Sequence, residues 1–295
     1  MLVEKVGFVA SDEVSAIGMG CRFASQGYAV RIFTPQTDLD RLPEHLGARR
    51  TDVAIIVAPA GSEQYDRASA ALERWGAGPP TGDAQTETEP PASFDPLAEL
   101  DVRGPGGTLV LIGSAAPGVR AQIDRLADDG ALVLTLRREL VLGQDETQLM
   151  GLRSGAAATA EQGRNVVVRS ENWPEAVEMT RRMAAKRGTS AEELGNRVVN
   201  MLARVGQGVI SGAITTRGST RRVIAVGTDT CAALCRKLGI GELLVLAEVE
   251  PGLPVVLAPG PEPLLLFLKA GSSGGPDTLA QAIKHLGQFQ TKRGH

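Results

Sequence analysis

Three short turns in this chain carry the residue types that hold anions. Gly227-Thr228-Asp229-Thr230 follows the apolar run 223–226 and precedes a helical pattern over 231–238. Lys269-Ala270-Gly271-Ser272-Ser273-Gly274-Gly275 follows the apolar run 264–268 and leads into another helix. Gly113-Ser114-Ala115-Ala116-Pro117 follows a strand pattern over 108–112 and leads into a helix over 117–128. At such turns backbone N–H groups and the positive end of a helix dipole point at one spot, where a phosphate settles. Glycines let the backbone approach a ligand closely. A lysine at the carboxyl end of a strand, where α/β proteins place ligands, can offset charge on a transferring phosphoryl group.

Each feature also has an ordinary reading. Thr228 or Asp229 can simply cap the helix, a role worth ~0.5–2 kcal/mol. Asp229 has two further options, as a general base or a Mg²⁺ ligand. Lys269 can be a solvated residue at a strand end, and Gly271, Gly274 and Gly275 suit any tight turn. Cys231 and Cys235 are four apart, but with Leu234 and Leu238 they form an apolar i, i+3, i+4, i+7 stripe, which reads as core. The three histidines supply no metal pattern, and no Ser-His-Asp triad is readable. Val6-Gly7-Phe8-Val9, then Gly18-Met19-Gly20, loosely resembles a dinucleotide-binding opening over residues 5–33. The spacing is long for a tight first turn, and no acidic residue ends the second strand.

The elements that must position these residues alternate strand and helix. Strand patterns at 5–10, 28–33 and 53–58 are interleaved with helical ones at 14–26, 39–46 and 62–75, Gly27 ending the first helix. Residues 76–107 are rich in Pro, Gly, Thr and Glu without periodicity and read as a linker, with a short helix near 96–100. The rhythm resumes with strands at 108–112, 131–136 and 165–168, helices at 146–160, 173–186 and 190–206, and a strand at 243–249 before the turn 250–254. Ser190 with Glu193 three residues on is a helix start. This predicts two α/β domains with mainly parallel sheets flanked by helices: a first over 1–75, the linker 76–107, and a second over 108–295.

Of 295 residues, 43% are hydrophobic and only 3% aromatic, while glycine numbers 35, so small residues do much of the packing. A net charge of −3 gives no basic footprint for nucleic acid. Three cysteines make no disulfide framework, no apolar run reaches the ~20 residues that span a bilayer, and the start lacks a signal pattern. The expectation is a cytoplasmic protein without membrane or nucleic-acid partners, with room for a homo-oligomer.

Taken together, these stretches resemble the four-carbon acid sugar kinases, which phosphorylate tetronates using ATP. The likeness runs from about Thr108 to Leu286 and rests on Gly113, Ser114 and Gln122, on Gly227, Asp229 and Thr230 followed by Leu238-Gly239-Ile240, on Pro251-Gly252-Leu253-Pro254, and on Lys269, Gly271 and Gly274. Thr228 stands where the family has a second glycine, and Val119 where it has a threonine. Of the family's opening motif Ala-Asp-Asp-x-Thr-Gly-Ala, this chain keeps Ala10, Asp12 and Ala16. The resemblance implies MgATP held by Gly113, Ser114, Gly227, Thr228, Asp229, Thr230, Lys269, Gly271, Gly274 and Gly275. It implies an acid sugar on the N-terminal side, with Asp12, Asp229 and Lys269 as candidate catalytic residues. Two alternatives stand beside it: a nucleotide-binding regulatory or scaffold protein without catalysis, and an NAD(P)-binding protein through residues 5–33.

Overall fold

The structure is a computed structural model that describes residues 5–48, 51–77, 106–211 and 220–291. The helix expected near 96–100 lies outside the described residues. In chain order the elements are β1 (Val6–Ala10), α1 (Glu13–Ala24), β2 (Val30–Phe33), α2 (Leu42–Ala48), β3 (Val53–Val57) and α3 (Glu63–Trp75). There follow β4 (Leu109–Ile112), α4 (Gly118–Asp128), β5 (Leu132–Leu136), α5 (Arg138–Gly143), α6 (Glu146–Glu161), β6 (Val166–Ser170), α7 (Pro174–Ala185) and α8 (Ala191–Ile210). The last are β7 (Arg222–Val226), α9 (Thr228–Leu238), β8 (Glu242–Glu250), β9 (Leu253–Ala258), β10 (Leu264–Lys269) and α10 (Thr278–Thr291).

These elements form two compact units, Met1–Asp101 with Gly239–Pro263, and Val102–Leu238 with Leu264–His295. The first unit holds strands in the order β1-β3-β2-β8-β9. β3 runs parallel to β1 and β2, while β8 is antiparallel to β2 and to β9. All five residues of β3 are buried, as a strand covered on both faces requires. Phe33, Leu42, Ile56 and Trp75 share its core, and Arg31 ties β2 to β8 through Glu242 at 2.6 Å. α3 starts on the Ser62 side chain, which accepts from Tyr65 N, and stops at Gly76, where φ is 82°.

The sequence places Gly239–Pro263 within its C-terminal stretch, whereas the fold joins it to the first unit. The reason is long-range pairing: Arg31, Ile32 and Phe33 face Leu244, Leu243 and Glu242 across two strands. β9 itself goes beyond the expected turn at 250–254, with Pro254 pairing opposite Glu248 beside a bulge.

The second unit is a sheet of parallel strands in the order β10-β7-β4-β6-β5. β4 and β10 are buried throughout, as their apolar runs predict. α8 starts on Ser190, whose hydroxyl accepts from Glu193 N at 3.1 Å, as the capping pattern predicts. α8 lies tightly on the layer beneath. A Cβ on Gly206 would sit 2.8 Å from Leu234 Cδ1 and 2.9 Å from Leu111 Cδ1, so any larger residue would have to displace these two leucine side-chain ends. Among the described residues, no helix is long and apolar enough to cross a membrane.

Candidate functional site

Because the strands of the second unit are all parallel, their following turns gather at one edge, the carboxyl edge of the sheet. There the three anion-type turns meet. Gly113 N donates to Val226 O at 3.2 Å, and Gly227 N donates to Lys269 O at 2.9 Å. A Cβ on Gly227 would lie 3.4 Å from Ser114 N and 3.3 Å from Thr230 Oγ1. A Cβ on Gly271 would lie 2.6 Å from Ser114 Cβ and 3.3 Å from Ala116 Cβ, with Ser114 Oγ closer still. On Gly113 it would overlap Thr230 Oγ1. Gly113, Ser114, Gly227, Thr230, Lys269 and Gly271 are therefore one packed cluster whose glycines serve close approach.

Gly227 has φ 111°, a conformation L side chains rarely adopt. Thr228, where the resemblance has a second glycine, is the first residue of α9 and is not among the positive-φ residues. The substitution is thus accommodated by helix rather than by strain. Cys231 N bonds Gly227 O at 2.9 Å, so the helix begins three residues before the expected Cys231. Asp229 accordingly stands inside the first turn of α9 instead of capping it, and its side chain is exposed. A carboxylate in that turn complements the helix dipole and stays available to a cation.

Lys269 departs most from its solvated reading. It is 0% exposed, and its Nζ donates to Ala270 O at 2.9 Å. Its charge lies behind the turn it braces, so it would act on a bound anion through that turn rather than by contact. The loop beyond is braced by Gln122, whose Nε2 donates to Gly275 O at 2.8 Å and Ser273 O at 3.3 Å. Gly274, at φ 78°, turns the chain there.

A cavity of about 210 Å³ opens beside this cluster and is lined by Gly113, Ala115 and Asp229 on one side. Its other walls come from the ends of β5 and β6 and from α5, α7 and α8, with Leu136, Val177 and Val198 giving an apolar slot and Glu171, Asn172 and Arg181 giving polar groups. The sequence reading missed these residues. The signal available was Ser170-Glu171-Asn172-Trp173, another polar strand end ahead of a helix that starts at Pro174. An apolar slot with convergent polar groups beside an anion nest suits a ligand with a flat ring at one end and phosphates at the other.

Asp12 belongs to the first unit, at the carboxyl end of β1. It is the N-cap of α1: Oδ1 accepts from Ser15 N at 2.9 Å and Oδ2 from Ser15 Oγ at 2.7 Å. Partial burial pushes its pKa up, but the Ser15 N–H, then the Ser15 and Ser11 hydroxyls, outweigh that and hold it below the ordinary carboxylate range. A carboxylate so held is a weak base and a good acceptor. Gly18 and Gly20 lie in the body of α1 and not in the β1–α1 turn. Gly20 serves packing, since a Cβ there would come within 3.0 Å of Val30 Cγ1, which removes the phosphate turn that a dinucleotide site over residues 5–33 needs. None of the three cysteines forms a disulfide, and all are buried. The Cys21 thiol is pushed up to about 12 by burial and by Glu248, which leaves it unreactive.

Residues 109–279 match the family described as the nucleotide-binding C-terminal domain. A 3-oxo-tetronate kinase of Cupriavidus necator is 31% identical over 197 residues, which cover 67% of this chain and 42% of the relative. A 3-oxo-tetronate kinase of Pseudomonas fluorescens is 29% identical over 181 residues, covering 61% and 39%. The chain thus spans about two-fifths of the length of the curated relatives it matches. A solved structure of a Haemophilus influenzae protein of the DUF1537 family superposes with a TM-score of 0.68 at 13% identity, over 95% of this chain and 100% of the other. One from Salmonella typhimurium LT2 gives 0.66 at 15% identity, over 94% and 98%. At such identities these two structures speak for the fold.

Proposed function

The chain belongs to the nucleotide-binding C-terminal domain family and, with it, to the four-carbon acid sugar kinases, and from that premise we propose that it uses ATP to phosphorylate a hydroxyl of a tetronate-type acid sugar. The observation that carries the reading is the meeting of three strand-end turns at one edge of the second unit, with Gly227 and Gly271 both packed against Ser114.

In this reading the phosphates lie against the turns at Gly113-Ser114, Gly227-Thr228 and Ala270-Gly271, where backbone donors need no reorganisation as charge develops. The N-terminal turns of α4 and α9 add their dipoles. Lys269 supplies a fixed positive charge behind the turn, and the cavity beside β6 takes the nucleoside. Asp229 is the exposed carboxylate available to Mg²⁺. No group of three or more His, Cys, Asp or Glu that could hold a metal occurs among the described residues. That suits a cation which keeps its waters and binds one carboxylate plus substrate phosphates, neutralising charge on the transferring group. As the substrate oxygen bonds to the γ-phosphorus, the bond to the β–γ bridging oxygen breaks, and the hydroxyl proton leaves to an acceptor. On the first unit, Asp12 is the candidate to bind a substrate hydroxyl as a hydrogen-bond acceptor.

The test has two arms on the full chain. MgATP, and not NAD(P)H, should raise the thermal midpoint, because a ligand that binds only the folded state stabilises it. ATP consumption should then appear with one of threonate, erythronate or a 3-oxo-tetronate. MgATP binding without turnover of any acid sugar would favour the regulatory alternative, which the retention of only Ala10, Asp12 and Ala16 from the family's opening motif already motivates. No shift with MgATP would refute both.

A further inference from the structure

Asn172 lies two residues past the end of β6, lines the cavity and is 5% exposed. Its Nδ2 donates to Ser114 O at 3.0 Å, and its Oδ1 accepts from Arg169 Nη1 at 3.1 Å. The second bond fixes the first. A guanidinium has only donors, so Oδ1 must face Arg169 and the amide nitrogen is left to face Ser114. Arg169 is itself held, since Nη1 also donates to Ser170 O at 3.2 Å and its guanidinium carbon lies 4.5 Å from the Trp173 ring centroid. Arg120, from the first turn of α4, lies 4.7 Å from the same centroid and closes the array.

Ser114 is the residue against which Gly227 and Gly271 are packed. Its carbonyl shares a planar peptide with the N–H of Ala115, which also lines the cavity. Pinning one end of that peptide fixes the direction of the other. We infer that Asn172, oriented by Arg169 on the Trp173 ring, is a positioning residue that aims the Ser114–Ala115 peptide at the phosphates of a bound nucleotide. The inference rests on the nucleotide reading above.

Calorimetric titration of MgATP into the full chain tests it with Asn172→Ala, Asn172→Asp, Arg169→Lys and the Asn172→Ala/Arg169→Lys double variant. Loss of one neutral hydrogen bond predicts a Kd weakened about fivefold in Asn172→Ala. Asn172→Asp should weaken it further, because a carboxylate oxygen would then face the Ser114 carbonyl. Arg169→Lys should weaken it about twofold, and the double variant should be no worse than Asn172→Ala, since Arg169 acts through Asn172. Should Asn172→Ala not fold, the isosteric Asn172→Asp carries the comparison. Wild-type affinity in a folded Asn172 variant, or effects that multiply in the double variant, would overturn the inference. A merely structural role would lower thermal stability without this pattern in Kd. A wild-type chain with no affinity for MgATP would instead overturn the nucleotide reading, and the inference with it.

Discussion

Gly271→Ala is the sharpest perturbation of the turn cluster. The added methyl carbon would stand 2.6 Å from Ser114 Cβ and 3.3 Å from Ala116 Cβ. Carbon atoms pack at about 3.5–4.0 Å, so one turn must retreat by roughly 1 Å. Ser114 can rotate its hydroxyl away, but its Cβ moves only with the backbone. Overpacking of this kind costs about 1–3 kcal/mol. For domains of this size that lowers the midpoint of thermal unfolding by roughly 2–12 °C. A shift of ~1 Å in groups that orient reacting phosphates costs up to about 10²-fold in rate. Gly143→Ala, at the end of α5 and outside the turns, is the control: nothing lies within 4 Å of its Cβ position, and its φ is not in the left-handed range. Unfolding scans and MgATP titration of the two variants decide the matter. We expect Gly271→Ala to lose stability and at least tenfold in affinity, and Gly143→Ala to keep wild-type affinity. Equal behaviour of the two, in either direction, would refute the claim that close approach of these turns builds the site.

Three further outcomes follow from the same geometry. Thr228→Gly, which restores the glycine of the resemblance, should leave MgATP affinity unchanged and cost about 0.3–0.5 kcal/mol of stability, because position 228 is helical; tighter binding measured by titration would contradict this. Asp229→Asn should weaken MgATP while leaving affinity for ATP in excess chelator unchanged, a difference read by paired titrations, and an equal loss in both would remove Asp229 from the metal. Asp12→Ala should cost ~1 kcal/mol through the lost cap. Asp12 is held below its ordinary value of 3.8, so its charge stabilises the fold above that pH and the contribution disappears as pH falls through the lower folded value. Denaturant unfolding of wild type and Asp12→Ala should therefore show a full gap at pH 7 that closes below about pH 4; a gap independent of pH would refute the charge-based account.

Local patterns were legible where the cause is local. Apolar runs gave β4, β7 and β10, Ser190 gave the start of α8, and the turns after those strands gave Gly113, Gly227 and Gly271. Their convergence follows from parallel topology, which strand–helix alternation already implies. What stayed hidden depends on contacts distant in sequence. Nothing local to Gly239–Pro263 says that β8 pairs with Arg31 to Phe33, so its unit could not be read. Lys269 has the same local pattern whether solvated or buried, and only the fold decides that its ammonium turns back to Ala270 O. Asn172 reaches Ser114 across 58 residues of chain, which no spacing rule anticipates. Thr228 shows the converse: a departure from the motif brings no backbone strain, because the helix simply starts earlier.

The central claim is that the strand-end turns of the second unit hold the nucleotide. Backbone hydrogen exchange of the full chain with and without saturating MgATP tests it residue by residue. The account predicts slowed exchange in residues 113–117, 227–231 and 270–275. Unchanged exchange in all three turns under saturating MgATP would contradict it.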